Sequence, residues 1–209
     1  MRIFIGTDRR QMLAYTVCRS SIEIRLRGRA QIEPLFLDLL PLKRRGLTEF
    51  TYSRYLVPWL CGYQGRALFM DADMIAQADM LELDALAANT KCVSVVKSPR
   101  RHQWSSLMYF NNEACRALTL ELIETGTPQD MSWASDIAAL PKEWNHIVGL
   151  DAPNPDAKII HYTKGIPFWP ELAKCENADL WHEEMRAALH TVTWRELMGG
   201  VKPPEKAAA

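Results

Sequence analysis

Short, β-rich apolar runs alternate with helical repeats along the first hundred residues, and that alternation leaves few folds open to the chain. Ile3-Phe4-Ile5 runs into Gly6-Thr7-Asp8, as a buried strand opening into a polar loop would. Ala14, Val17, Cys18, Ser21 and Ile22 then recur at helical spacing, and Leu35-Phe36-Leu37, with Pro34 before it, reads as a second strand. Thr48 is placed to cap a helix carrying Phe50, Tyr52, Tyr55, Leu56 and Trp59, which Cys61-Gly62 would end. Ala67–Met70 and Cys92–Val96 are further strands, and Leu107–Phe110 is another candidate. The pattern predicts an α/β domain with a mixed, mostly parallel central sheet flanked by helices.

Later segments continue the theme. Ala114, Ala117, Leu118 and Leu122 lie on one side of an expected helix over Glu113–Thr125, with Gly126 and Pro128 as its stop. Ile159-Ile160 is a last short strand before His161, and Leu180, Trp181, Met185, Ala188 and Leu189 outline a C-terminal helix. With 209 residues in all, the reading is one domain over residues 1–200 and a disordered tail over 201–209, where Pro203-Pro204 leads into a run of alanines.

Composition closes off several function classes. Lys and Arg equal Asp and Glu at 25 each, so no global field draws the chain to nucleic acid. Its basic clusters are local: Arg25 to Arg29 at an expected helix C-terminus, Lys43-Arg44-Arg45, and Arg100-Arg101-His102. Five dispersed cysteines, without a Cys-x-x-Cys pair, suit reduced thiols in the cytoplasm. No apolar stretch approaches transmembrane length, which leaves peripheral membrane contact and a homodimer as compatible arrangements.

Ligands of open α/β sheets bind beyond the carboxyl ends of the strands. That edge would carry Thr7, Asp8, Asp71, Asp73 and His161. Asp71 and Asp73 close the run Arg66-Ala67-Leu68-Phe69-Met70, and alternate strand residues point the same way. Two carboxylates presented together suit Mg²⁺ or Mn²⁺, hard cations that share their coordination with phosphate oxygens. Two solvated turn residues are the plainer alternative. Neither a Gly-x-Gly-x-x-Gly nor a Gly-x-x-x-x-Gly-Lys-[Ser/Thr] pattern occurs.

Four segments in order give a resemblance. They are Ile3-Phe4-Ile5-Gly6-Thr7-Asp8, Thr51-Tyr52-Ser53-Arg54-Tyr55-Leu56-Val57-Pro58, Leu68-Phe69-Met70-Asp71-Ala72-Asp73 and His161-Tyr162-Thr163-Lys164-Gly165-Ile166-Pro167-Phe168-Trp169. Together they resemble GT-A glycosyltransferases, which have a Rossmann-like sheet, and within them the family 8 retaining enzymes of the glycogenin and lipopolysaccharide galactosyltransferase type. The resemblance implies that Asp71, Asp73 and His161 hold Mn²⁺ or Mg²⁺, which grips the diphosphate of a UDP-sugar. It implies that Arg54 reaches the diphosphate and donor sugar, that Thr7, Asp8 and Tyr15 lie by the nucleoside, and that Ala72 and Gly165 shape the donor site. Asp136 stands where the family has an acidic residue near the donor sugar, as nucleophile or as positioning group. Trp144-Asn145 also matches a stretch of the group, with no role assigned.

One departure concerns the late motif. The family has a lysine three residues beyond the glycine, where this chain has Phe168, so Lys164 is the substitute cation. The implied function is transfer of a sugar from a UDP-sugar to an unidentified acceptor, a glycan, lipopolysaccharide, protein or small molecule. A nucleotide-sugar binding protein with little turnover is the first alternative, motivated by Phe168. An aspartate-nucleophile phosphohydrolase is the second, although that family has Thr or Val where this chain has Ile75.

Overall fold

The computed structural model describes residues 1–190 and 193; the expected tail over 201–209 and the end of the expected domain lie outside the described residues. In chain order the elements are β1 (Arg2–Gly6), α1 (Met12–Arg25), β2 (Gln31–Leu35), α2 (Phe50–Ser53), α3 (Val57–Leu60), β3 (Arg66–Asp71), β4 (Met74–Ala76), α4 (Met80–Leu86), β5 (Val93–Val96) and β6 (Leu107–Asn111). They continue with α5 (Leu120–Thr125), β7 (Ile137–Leu140), β8 (His146–Ile147), β9 (Ile159–His161) and α6 (Ala178–Ala188).

Six strands form the main sheet in the order β2-β1-β3-β6-β5-β7. β1 is parallel to β2 and β3, β5 is parallel to β7, and β6 runs against both its neighbours. All strands but β6 therefore point one way and release their loops at a common edge. A second sheet, β4-β9-β8, turns away from that edge. Its antiparallel register sets Met74 opposite His161 and so joins the end of β3 to a segment far along the chain.

Strand alternation sorts the core into two layers. Ile3, Ile5, Leu68 and Met70 face α1, α6 and the second sheet, where Trp181 is buried; Phe4, Ala67 and Phe69 face the layer of Tyr55, Phe110 and Trp133. Gly6, the last residue of β1, is set by this packing. A Cβ there would lie 2.6 Å from the Phe69 ring and 2.9 Å from Phe50 Cβ.

Several boundaries differ from the sequence expectation, each for a local reason. The second strand is Gln31–Leu35 rather than Leu35–Leu37, and Pro34 sits inside it. β2 is an edge strand, where a missing N–H costs no ladder bond. The single helix expected from Thr48 is α2, a 3-10 turn over Arg54–Leu56, and α3. Pro58 has no N–H to give the Arg54 carbonyl, so the hydrogen-bond ladder breaks there. The helix expected over 113–125 is a 3-10 turn over Asn112–Cys115 followed by α5, because Thr119 caps the second piece by accepting from Leu122 N at 3.2 Å. β4, β7 and β8 were not expected at all. No helix among the described residues is long and apolar enough to cross a membrane.

The close approach at Gly6 has a measurable cost. Gly6→Ala is expected to lower stability by about 1–3 kcal/mol, the usual range for overpacking, read as a lower urea midpoint at unchanged m-value. An unchanged midpoint would show that the layer relaxes around the extra carbon.

Candidate functional site

At the carboxyl edge of the main sheet, three side chains converge. One ligand-type atom each from Asp71, Asp73 and His161 lies within 4.8 Å of the others. Strand alternation does not bring them together, since β3 ends at Asp71 and Asp73 sits in the turn to β4. That turn is held from the far segment: Tyr162 N donates to the Asp73 carbonyl at 2.9 Å, next to the Met74–His161 pairing. Ala72 is buried and donates its N–H to the Gly6 carbonyl at 3.1 Å, extending the β1–β3 ladder by one bond.

Two carboxylate oxygens in this group are short of partners. Arg54 Nη2 lies 3.1 Å from Asp71 Oδ1, and His161 Nε2 lies 3.3 Å from Asp73 Oδ1. Both are ion-pair separations whose angles miss hydrogen-bond geometry, and both Oδ1 atoms are buried with no hydrogen-bond partner. Buried carboxylate oxygens without donors are costly, and a divalent cation would satisfy them together with the imidazole. The donor set of two carboxylates and one imidazole fits Mn²⁺.

Arg54 is anchored rather than free. Its Nε donates to the Phe50 carbonyl at 3.0 Å, and Nη1 donates to the carbonyl and hydroxyl of Ser105 at 2.6 and 3.2 Å. The guanidinium lies over the rings of Phe50 and Phe69, 5.4 and 5.0 Å from their centroids. This places it as the counter-ion and support of Asp71.

His161 is oriented by a relay that sequence reasoning had left without a role. Its Nδ1 is 3.1 Å from Asn145 Oδ1, Asn145 Nδ2 donates to Ser106 Oγ at 2.9 Å, and Ser106 Oγ donates to the Gln103 carbonyl at 2.6 Å. A backbone carbonyl only accepts, so the direction of every bond in the chain is fixed. Asn145 Oδ1 must accept from Nδ1–H. Nε2 is thereby the nitrogen turned to Asp73, in the arrangement by which outer partners orient a ligating histidine. Beneath the pair, the buried Cys18 thiol lies against the Asp71 carbonyl at 4.0 Å, and burial together with Asp73 and Asp71 raises its pKa.

The other expected residues divide. Thr7 and Asp8 are buried at this edge, and Asp8 is already clamped: it accepts from Arg10 N at 2.7 Å and pairs with Arg10 Nη2 at 3.1 Å. Tyr15 is buried with its ring 6.5 Å from Phe36, and its hydroxyl has no hydrogen-bond partner. Gly165 takes φ +120°, closing a turn through its N–H to the Tyr162 carbonyl at 2.8 Å. It lines a cleft of about 140 Å³ with Asp73, Arg10, Phe168 and Trp169.

Two of the expected residues lie apart from the acidic pair. Asp136 is not in this group. β7 runs parallel to β5 with Val93 opposite Ile137, and Phe110, opposite Val93, also pairs with Ala67, so Asp136 enters at the edge where β3 begins. It is absent from the cluster of Asp71, Asp73 and His161. Lys164 is directed away from Asp73. Its Nζ is 3.8 Å from where a Gly149 Cβ would sit, in a separate pocket shared with Glu176 and Leu172. Phe168 packs edge-on against Trp169 at 5.7 Å on the Asp73 side.

The electrostatics of the group all act in one sense. Burial pushes the Asp71 carboxyl up to about 6; Arg54 opposes this and Asp73 adds to it. Burial opposes a charged His161, yet its close pairing with Asp73, helped by the charge of Asp71, outweighs it and raises the imidazole pKa. Both groups hold a proton more tightly folded than unfolded. Their stabilising contributions are full below the unfolded values, about 3.9 and 6.5, and are lost as pH rises through the folded ones.

With EDTA present, urea unfolding should show this contribution shrinking from pH 4.5 to pH 7.5, and Asp71→Asn should flatten the lower part of the slope. Parallel pH profiles for the two proteins would refute the shift. Asn145→Ala should weaken Mn²⁺ binding by about 10–100-fold, as loss of an outer partner does, measured calorimetrically. A lower melting temperature with unchanged Mn²⁺ affinity would reduce Asn145 to a packing role.

No protein-family model matches the sequence. Among solved structures, the bifunctional glycosyltransferase WbbM superposes with a TM-score of 0.71 at 16% identity, covering 95% of this chain and 51% of that one. The chain thus spans about half of WbbM. The galactosyltransferase LgtC, solved with donor and acceptor sugar analogues, gives 0.64 at 13% identity with 98% of each chain covered. The glycosyltransferase GlyE of Streptococcus pneumoniae TIGR4 gives 0.68 at 15%, over 94% of this chain and 62% of that one. At such identities the likeness is one of fold, and the fold is the GT-A glycosyltransferase fold. In sequence, Protein CDI of Arabidopsis thaliana is 32% identical over 223 residues, 88% of this chain and 85% of that protein. The chain belongs to the family of Protein CDI.

Proposed function

We propose that this protein is a metal-dependent glycosyltransferase that takes a sugar from a nucleoside diphosphate sugar, UDP-linked by resemblance, and passes it to an acceptor hydroxyl with retention at the anomeric carbon. One observation carries the reading: buried, unpartnered Oδ1 atoms of Asp71 and Asp73 meet Nε2 of His161 where the strands of a GT-A sheet end. Asp71, Asp73 and His161 would hold the cation. A bound divalent cation there supplies Lewis-acid stabilisation of the charge that develops on the departing diphosphate.

The remaining residues bind and orient. Arg54, fixed by Phe50 and Ser105, keeps Asp71 ionised and aimed at the edge. The buried Asp8 and the unpartnered Tyr15 hydroxyl lie beyond β1 and along α1, so a nucleoside there would meet an acceptor and a donor. Arg10 would yield its hold on Asp8 to such a ligand. With Asp136 at the opposite edge, the Asp136 nucleophile has no place in this reading; the acceptor attacks on the face that the diphosphate leaves.

A second reading, a nucleotide-sugar binding protein with little turnover, is favoured by one feature. The segment after Gly165 presents the Phe168–Trp169 pair beside Asp73 rather than a lysine. A cation there would lower the barrier to diphosphate departure.

Thermal shifts with UDP, GDP and CDP, each with Mn²⁺ or EDTA, test the shared part, because a ligand stabilises only the state it binds. UDP with Mn²⁺ should raise the melting temperature and EDTA should cancel the rise; no response to any nucleotide rejects both readings. Hydrolysis of a UDP-sugar, lost by at least 100-fold in Asp73→Asn, then selects the enzyme, whereas binding without hydrolysis or transfer selects the second reading.

A further inference from the structure

The loop from Lys97 to Ser106 leaves β5 at the same edge and is fastened to the site at its far end. Ser105 holds Arg54, which touches Asp71, and Ser106 holds Asn145, which orients His161. Within the loop, Trp104 Nε1 donates to the Ser98 carbonyl at 2.8 Å, so its outer half is folded back on a rigid ring. Lys97 and Arg101 lie over that ring at 5.8 and 5.5 Å. The outer half is strongly cationic: Lys97, Arg100, Arg101 and His102 are all exposed, and the next carboxylate in sequence is Glu113.

These cations differ from the other arginines of this edge in lacking carboxylate partners. Arg9 pairs with Asp38, Arg10 with Asp8 and Arg45 with Glu49, whereas no ion pair among the described residues involves Lys97, Arg100, Arg101 or His102. Arg101 donates to the Asp130 backbone carbonyl, and the Asp130 carboxylate, which accepts from Ser132 N and Thr127 Oγ1, attracts Arg101 without an ion-pair contact. Across a small cleft, Lys142 adds a further cation facing Lys97, and the one acid there, Asp151, accepts from Ile147 N. In a chain of zero formal net charge, an excess of positive charge, Lys97, Arg100, Arg101 and Lys142 against Asp130 and Asp151, is thus gathered on the rim of an acidic site.

We infer that the Lys97–His102 loop is an acceptor subsite for an anionic group, so that the acceptor carries a phosphate or carboxylate near the hydroxyl that receives the sugar. The inference rests on the glycosyltransferase reading above. A guanidinium fork and an ammonium on a rigid loop recognise such oxygens by charge-assisted hydrogen bonds. The bulk acidic pair next door serves the opposite purpose, and the anchored Arg54 separates the two.

The test uses the full chain with Mn²⁺ and an assay for UDP release from a UDP-sugar. Acceptors are offered in matched pairs, glucose against glucose 6-phosphate and neutral against uronic-acid oligosaccharides. Anionic members should be favoured by at least 10-fold in kcat/KM, with the preference shrinking as salt is raised. In Lys97→Gln/Arg100→Gln, which spares the Arg101 tether to Asp130, the preference should fall to within about twofold of neutral acceptors, while the UDP thermal shift persists. Equal use of both members by the unaltered protein overturns the inference. So does a variant that loses UDP binding, which would place the loop on the donor diphosphate, or one that keeps the full preference for anionic acceptors. Failure of the glycosyltransferase reading has a different signature: no Asp73-dependent release of UDP with any acceptor.

Discussion

Keeping a carboxylate charged out of water is the constraint around which this edge of the molecule is built. Asp71 ends a fully buried strand, and desolvation of its charge outweighs the help it receives from Arg54. Arg54 is in turn immobilised by two carbonyls and two aromatic rings, which removes the entropy cost of positioning it. The site is therefore preorganised and incompletely satisfied at once. A site of that kind gains most from a divalent cation, because the interactions that cation would make are the ones the protein lacks.

Most of the frame was legible in the chain. Ile3-Phe4-Ile5, Ala67–Met70 and Val93–Val96 are strands buried on both faces, and such strands read as unbroken apolar runs. Thr7, Asp8, Asp71, Asp73 and His161 gather at the edge expected for ligands. What escaped was short or nonlocal. β7 is Ile137-Ala138-Ala139-Leu140, whose alanines give no β signal, and β4 and β8 are too brief to show a period. The direction of β7 decides which edge Asp136 occupies, and nothing in its composition announces that direction. The Asn145–Ser106 bond spans 39 positions and depends on tertiary contact alone. Lys164 has its Nζ near Gly149, and the direction of a side chain around Gly165 is not written in spacing.

The two kinds of comparison bear on different levels. Membership in the family of Protein CDI is a statement about descent over most of the chain. The likeness to LgtC, WbbM and GlyE is one of architecture, shared at identities of 13% to 16%. Between them lies the local chemistry, where this chain has Phe168 and Trp169 beside its acidic pair and a basic loop on the same edge. Fold sets where a ligand can sit; these side chains set which ligand is accepted.

The β4–β9 pairing has a consequence for how the protein is made. Asp73 and His161 are 88 positions apart, and the strand that carries the imidazole leaves the ribosome well after the acidic pair. At roughly 5 to 20 residues per second, the acidic half of the site waits on the order of 4 to 18 seconds for its third member. During that interval the nascent chain offers two carboxylates and a bound arginine, a poor trap for a soft or imidazole-seeking ion. A cation that needs the imidazole as well would be held only once the second sheet has closed.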